Sequence, residues 1–204
     1  MCNELTAHTA AVNDFLAADP DEMVLKSGAA YSDDGNHIII SYYAQKHFVS
    51  LASGEVTTAD NRQVSYNDAT LILQYLKQCS GLPPRNRWLS FLELPQGIHH
   101  HVPFIKSACE PIRDAFGSGL DLFLQQTVKL GGKPIDMGDA AALIPAFPKL
   151  PLAAVLWEGD DEFPARATIL FDSIAPYQLT TAALWVLGCE LAKKLVSQPL
   201  PTTS

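Results

Sequence analysis

Three apolar runs in the last third of the chain constrain the fold more strongly than any other part of the sequence. They cover residues 140–147, 152–157 and 166–171, and each is joined to the next by only a few residues of turn material. A crossover between parallel strands needs a dozen or more residues, whereas antiparallel neighbours can be joined by a short connection. The sequence therefore predicts three consecutive antiparallel strands at the heart of a sheet.

The remaining segments alternate between helical and strand patterns. Apolar residues spaced three and four apart, with capping residues at the ends, indicate helices, while β-branched and aromatic runs indicate strands. The predicted helices cover 4–18, 65–81, 103–117, 118–131 and 181–195, and the additional strands cover 36–43, 47–51 and 88–94. These patterns predict one α+β domain over residues 1–197, a mainly antiparallel sheet packed with about four to five helices, and a disordered tail at 198–204.

The distribution of charge argues against several classes of function. Residues 1–61 carry 2 basic and 9 acidic side chains, residues 62–133 carry 8 and 5, and the remainder carries 4 and 8, which gives −7, +3 and −4. An acidic chain without a basic stripe is not expected to bind nucleic acid. No apolar run approaches the ~18 residues that cross a bilayer, so we expect no membrane span. The mildly positive middle section is compatible with a small anionic ligand or an acidic protein partner.

The four cysteines indicate a reducing environment. Cys2, Cys79, Cys109 and Cys189 are far apart in the sequence and form no C-x-x-C pair. Zinc and iron–sulfur sites usually contain such pairs, so these thiols are expected to be reduced and mostly buried. The N-terminus has no basic region followed by a hydrophobic segment, and we therefore expect a cytoplasmic protein without a secretory signal.

A histidine triplet is the sharpest local signal for a metal. In an extended segment, His99 and His101 would point to one face and His100 to the other. Two imidazoles spaced in this way can bind zinc, nickel or copper if a third ligand joins them, and Glu93 or Glu110 is near enough in the sequence. An exposed polar turn before a helix and a role in proton transfer are the alternatives.

Four carboxylates are concentrated between the last two predicted strands. Trp157 precedes them and Phe163 with Pro164 follows them, although a turn that serves only solubility needs no flanking aromatics. Their order does not match the alternating acids of an EF-hand loop. A solvated hairpin turn is one interpretation. The other is that at least one acid caps backbone amides or pairs with Arg85 or Arg87.

We also expect segments 88–97 and 157–165 to meet in space. Each joins a tryptophan to polar groups and a turn stiffened by proline, and two arginines precede the first segment while the acids lie in the second. Large aromatics beside convergent charges are used by ligand pockets and by interface hot spots. The predicted binding surface consists of Trp88, Trp157, Glu158, Asp160, Asp161 and Glu162, and the predicted metal ligands are His99 and His101.

Two segments carry a resemblance to a known family. The sequence WLSFLELPQG at 88–97 and the sequence LWEGDDEFPA at 156–165, followed by ILFD at 169–172, resemble the signature segments of the domain of unknown function 3786 family. The weaker match LQYL at 73–76 agrees with this assignment. Members are typical of anaerobic bacteria and archaea, and some carry a separate iron–sulfur domain. This chain lacks the clustered cysteines of those members, so the resemblance implies no cluster here and no defined activity.

Three hypotheses for function remain at this point. The first is an accessory or binding domain without catalysis of its own, which docks a protein partner or a metal-containing cofactor. The second is a metal-dependent, hydrolase-like enzyme with His99 and His101 as ligands and Glu93 or Glu162 as general base. The third is an oligomerisation module whose apolar sheet edge forms the interface. No serine-hydrolase elbow, phosphate loop or dinucleotide-binding glycine pattern favours another class.

Overall fold

The computed structural model describes residues 6–197, which form an α+β domain with two antiparallel sheets and one continuous core, and the predicted fold class is confirmed. The tail predicted at 198–204 lies outside the described residues. The strands are β1 (Ala30–Tyr31), β2 (His37–Tyr42), β3 (Gln45–Ser50), β4 (Val56–Thr58), β5 (Trp88–Ser90), β6 (Lys133–Pro134), β7 (Ala140–Phe147), β8 (Leu150–Trp157) and β9 (Arg166–Asp172). The helices are α1 (Ala7–Leu16), α2 (Pro20–Ser27), α3 (Tyr66–Gln78), α4 (His101–Phe104), α5 (Glu110–Phe116), α6 (Leu120–Lys129) and α7 (Thr181–Val196).

The larger sheet contains the three apolar runs. Its strand order is β5-β9-β8-β7-β6, and every neighbouring pair is antiparallel, so the predicted arrangement of the last three strands is confirmed. Ala154 of β8 lies opposite Ala142 on one side and Ile169 on the other. Seven of the eight residues of β8 are buried, which explains why this strand is a continuous apolar run rather than an alternating one.

The smaller sheet is a meander with the order β1-β2-β3-β4, and the predicted pairing of the strands near 36–43 and 47–51 is confirmed. Tyr43 and Ala44 form the two-residue turn between β2 and β3, with φ angles of 47° and 60°. Hairpin turns of this length need positive φ at both positions, which usually selects Asn-Gly. A tyrosine in this position is unusual. The turn is held by hydrogen bonds from the Tyr43 hydroxyl to the Leu187 carbonyl and from the Tyr43 N–H to the Ala146 carbonyl.

Aromatic contacts join the two sheets and α3 into one core. The Tyr43 N–H donates to the Ala146 carbonyl of β7 at 3.0 Å, and the Tyr75 ring of α3 stacks on Phe147 with centroids 4.1 Å apart. The Tyr75 hydroxyl donates to the Ser27 carbonyl at 3.1 Å and accepts from the Lys149 N–H at 3.1 Å. This buried tyrosine therefore fixes α2, α3 and the β7–β8 turn relative to one another.

Two segments differ from their predicted structure. Asp19 and Pro20 were expected to end a helix, but Asp19 also caps α2, in which Pro20 is the first residue. Proline suits this position because the first turn has no partner for its N–H. The strand predicted over 88–94 stops at Ser90, where Glu93 accepts from the Ser90 backbone N–H at 2.7 Å and starts a 3₁₀ turn over Phe91–Glu93.

Cys79, Cys109 and Cys189 are buried free thiols, as predicted, while Cys2 lies outside the described residues. Within residues 6–197, no helix combines the length and the apolar character that crossing a bilayer requires.

Candidate functional site

A cleft of about 330 Å³ lies between the start of β9 and the helical segment before Gly117, and Trp157 forms part of its wall. A cleft of this size falls within the range of small-molecule sites. The other side chains that define its chemistry are Ile105, Cys109, Glu110, Arg113, Arg166 and Thr168.

Arg166 is the cation that faces this cleft most freely. Trp157 ends β8 and Arg166 begins β9, and the antiparallel register places them directly opposite each other. The guanidinium carbon lies 4.2 Å from the centre of the indole ring, a close cation–π contact. Among residues 6–197, no carboxylate forms an ion pair with Arg166. The indole therefore orients the guanidinium of Arg166, and the N–H groups of the guanidinium are left for another acceptor.

The opposite wall is a helix that contains a π-helical turn over Ile105–Cys109. Pro111 follows this turn, and proline cannot donate to the carbonyl of the residue four positions earlier. In the turn before the proline, the Glu110 N–H donates to the carbonyl of Ile105, five residues back, and this wider turn leaves room for the proline ring. The helix can thus continue past the proline, and it presents Ile105, Cys109 and Arg113 to the cleft.

The remaining polar groups of the cleft are largely engaged by the protein. The Arg113 guanidinium donates to Asp114 at 2.8 Å and lies 3.9 Å from Glu110. Burial raises the pKa of the Cys109 thiol to about 11, although hydrogen bonds to Ile169 and Thr168 oppose this change. The thiol is therefore protonated near neutral pH and is a poor nucleophile.

The structure places Trp88 far from this cleft. Trp88 lies opposite Asp172 at one end of β9, whereas Trp157 lies opposite Arg166 at the other end. Six residues of strand separate the two positions, which corresponds to about 20 Å at a rise of roughly 3.3 Å per residue. Trp157 therefore lines the cleft and Trp88 does not, and this separation follows from a strand register that composition does not encode.

The four acids lie on the exposed loop between β8 and β9 rather than on the cleft wall. Asp160 accepts hydrogen bonds from the Phe163 N–H at 2.7 Å and the Glu162 N–H at 2.9 Å, and these bonds lower the pKa of its carboxyl group. Arg85 instead lies over the Tyr177 ring at 5.6 Å. The acidic loop was interpreted either as a solvated turn or as a turn in which an acid caps backbone amides. The structure favours the second interpretation, with Asp160 as the capping acid.

Replacing Asp160 by asparagine should lower the melting temperature measurably, because the amide is a weaker acceptor for the two N–H groups. Asp161→Asn changes charge equally on the same loop but removes no hydrogen bond seen in the structure, so its melting temperature should match that of the unmodified protein. Differential scanning calorimetry of both variants distinguishes them. Equal melting temperatures for the two variants would show that the capping is of no consequence for stability.

His99 and His101 do not occupy the extended segment that was predicted. His99 ends a 3₁₀ turn (Gly97–His99), and His101 starts α4, because the His100 N–H bonds to the Gly97 carbonyl and the Phe104 N–H to the His100 carbonyl. Within residues 6–197, no group of three or more His, Cys, Asp or Glu side chains could hold a metal ion. The third ligand that the metal hypothesis requires is thus not found in the described part of the chain.

Several cleft residues were missed at the sequence level. Arg166 was assigned only to a strand, and its importance depends on the register that sets it opposite Trp157. Pro111 inside the predicted helix was a visible signal for a local irregularity, and it marks the turn that shapes the second wall. Cys109 was expected to be buried, which is correct, but no pattern indicated that it faces a cleft.

The comparisons with other proteins identify a family rather than an activity. The family model described as "Domain of unknown function (DUF3786)" matches residues 19–194. No curated protein and no solved structure matches the chain significantly. The match covers both sheets and the Trp157 cleft, as the resemblance of the segments at 88–97 and 156–165 implied. This chain therefore belongs to the family of domain of unknown function 3786 proteins.

Proposed function

We propose that this domain is a non-catalytic binding module that holds a small amphipathic anion in the Trp157 cleft. The observation that carries the proposal is Arg166, an arginine without an ion-pair partner among the described residues, seated on an indole at the mouth of a cleft of about 330 Å³. An arginine oriented in this way loses little side-chain freedom when it binds a ligand.

The residues of the cleft indicate what such a ligand carries. A planar guanidinium matches the geometry of a carboxylate or a phosphate, and it can donate two parallel hydrogen bonds to either. Ile105, Ala165 and Ala167 line the cleft beside it and suit an apolar body. The ligand class is therefore a small molecule with one carboxylate or phosphate attached to an apolar group.

The state of the titratable groups supports binding rather than catalysis. The Cys109 thiol is buried and its pKa is raised to about 11, and Arg113 is neutralised by its acidic neighbours. Arg166 offers charge and hydrogen-bond donors but no acceptor. Among the earlier hypotheses, an accessory binding domain agrees best with this set of residues.

Isothermal titration calorimetry with benzoate and phenyl phosphate tests the proposal. Both probes should bind, whereas benzamidine, which places a cation on the same ring, should not. Arg166→Gln should weaken binding by roughly 10- to 100-fold, since hydrogen bonds to a charged group contribute about 1.5–3 kcal/mol. Arg87→Gln is the matched control because it removes an exposed arginine that is not part of the cleft lining.

Two results would overturn the proposal. One is the absence of binding by either anion at roughly 10 mM, which would place the affinity below any useful range. The other is an unchanged affinity in Arg166→Gln. Circular dichroism of each variant confirms that the fold is retained, so that loss of binding is assigned to the missing guanidinium.

A further inference from the structure

A second cavity, of about 410 Å³, opens between the β2–β3 hairpin, the start of α3 and the end of α7. The side chains that define its chemistry are Tyr42, Tyr43, His47, Arg62, Asp68 and Lys194. They come from distant parts of the chain, and sequence patterns gave no indication that they meet. None of them lines the Trp157 cleft.

A buried carboxylate holds a lysine at this cavity. Asp68 is 8% exposed, and its carboxylate accepts from the Lys194 Nζ at 2.8 Å and from the Tyr42 hydroxyl at 2.8 Å. The ammonium also lies 5.2 Å and 5.7 Å from the ring centres of Tyr42 and Tyr43. An ammonium has three donors, and Asp68 is the one hydrogen-bonded acceptor of Lys194 that the described residues provide. The other two donors are left for a ligand in the cavity.

His47 supplies an acceptor to the same cavity. Its Nδ1 lies 3.0 Å from the Gln45 carbonyl oxygen, and because a carbonyl only accepts, Nδ1 must carry the hydrogen. In the neutral ring, Nε2 is then an acceptor, and no hydrogen bond from the described residues satisfies it. Burial lowers the pKa of His47, which favours this neutral form. The cavity therefore combines the donors of Lys194 with an acceptor on His47.

The hairpin turn at the cavity is held in an unfavourable backbone conformation. Tyr43 has a φ of 47°, a value that bulky residues rarely adopt. Its hydroxyl donates to the Leu187 carbonyl at 3.0 Å, and its N–H donates to the Ala146 carbonyl at 3.0 Å. Asn-Gly would form the same turn without strain but would not place an aromatic ring beside the Lys194 ammonium. Backbone strain of this kind is concentrated at functional sites.

We propose that this cavity is a second binding site, whose ligand is a small carboxylate that also carries a hydroxyl group. The carboxylate binds the free donors of Lys194, and the hydroxyl donates to Nε2 of His47. Arg62 in the lining is paired with Asp60 at 2.5 Å, so the Lys194 donors that Asp68 leaves unused carry the contact to the ligand. This proposal does not depend on ligand binding in the Trp157 cleft.

Malate and succinate provide a matched pair of probes, because they differ by one hydroxyl group. We expect the unmodified protein to bind malate roughly 10-fold more tightly than succinate, as one satisfied hydrogen bond allows. His47→Asn retains a side-chain donor near the Nδ1 position and removes Nε2. In that variant, the affinity for malate should fall to that for succinate, while the affinity for succinate should remain unchanged.

A double variant tests the lysine without leaving a buried charge. Removing Lys194 alone would strand the Asp68 carboxylate, so Asp68→Asn is combined with Lys194→Gln. This variant should lose affinity for both dicarboxylates by 10-fold or more and should bind benzoate in the Trp157 cleft normally. Arg166→Gln should show the opposite pattern, which separates the two sites.

Calorimetry of these proteins decides the proposal. Equal affinities of the unmodified protein for malate and succinate, or no binding of either at roughly 10 mM, would overturn it. Unchanged binding in the double variant would do the same. If His47→Asn fails to fold, the comparison of the two probes on the unmodified protein and on the double variant still decides the outcome.

Discussion

Asp172→Ala should lower the free energy of unfolding by about 3–5 kcal/mol, because one buried carboxylate satisfies three backbone N–H groups. Asp172 has no solvent-exposed surface, and it accepts from Arg85 at 3.0 and 3.1 Å, from Asn86 at 2.6 Å and from Ile174 at 2.9 Å. These bonds attach the loop before β5 to the end of β9. Alanine would leave the donors without their acceptor and would also leave a small void.

Chemical denaturation and thermal melting measure this effect. A change of this size corresponds to a fall in Tm of roughly 10 °C for a chain of this length. Asp161→Ala is the matched control, since it removes an exposed carboxylate that accepts no hydrogen bond in the structure. A Tm for Asp172→Ala within roughly 2 °C of that of the unmodified protein would contradict the importance of the three bonds.

Asp68→Ala should cost about 2–4 kcal/mol, somewhat less than the 3–5 kcal/mol typical of breaking a fully buried ion pair. The reason for the smaller value is that the Lys194 side chain is 25% exposed and can be partly hydrated. The substitution leaves the Lys194 ammonium and the Tyr42 hydroxyl without their shared acceptor. Urea denaturation of the variant gives the free energy directly.

The control for this prediction is the ion pair between Glu22 and Lys26, whose side chains are 57% and 43% exposed. Glu22→Ala should have little effect on stability, since exposed pairs of this kind contribute little. Combining Asp68→Ala with Lys194→Met should recover part of the loss, because an apolar pair can replace a buried ionic one. A double variant that is as unstable as Asp68→Ala would show that the unpaired charge is not the cause.

The strands were predictable where burial shaped the sequence over many residues. The runs 140–147 and 152–157 are apolar along their length because both faces of these strands are covered. β1 and β6 have two residues each, which is too short for any alternation to be visible. α2 was missed because Asp19 and Pro20 can end one helix or begin the next, and the sequence signal is the same for both.

Of the residues predicted for the binding surface, only Trp157 lines the cleft. The aromatic residues around the acidic loop drew attention to the β8–β9 connection, but the cleft lies beside Arg166 and not among the carboxylates. Which side chains face Trp157 depends on strand register and on the turn before Pro111, and both are set by tertiary packing. The cavity at Asp68 and Lys194 joins residues 126 positions apart, which no local pattern can reveal.

The most direct measurement of the proposed function is a titration of the tryptophan indole signals by nuclear magnetic resonance with phenyl phosphate. The chain has three tryptophans, so each indole N–H can be assigned by single substitution. Binding in the cleft should shift the Trp157 signal in a saturable manner, while Trp88, about 20 Å away along β9, should remain unchanged. A Trp157 signal that does not move, or a shift that persists in Arg166→Gln, would contradict the assignment of the cleft as a binding site.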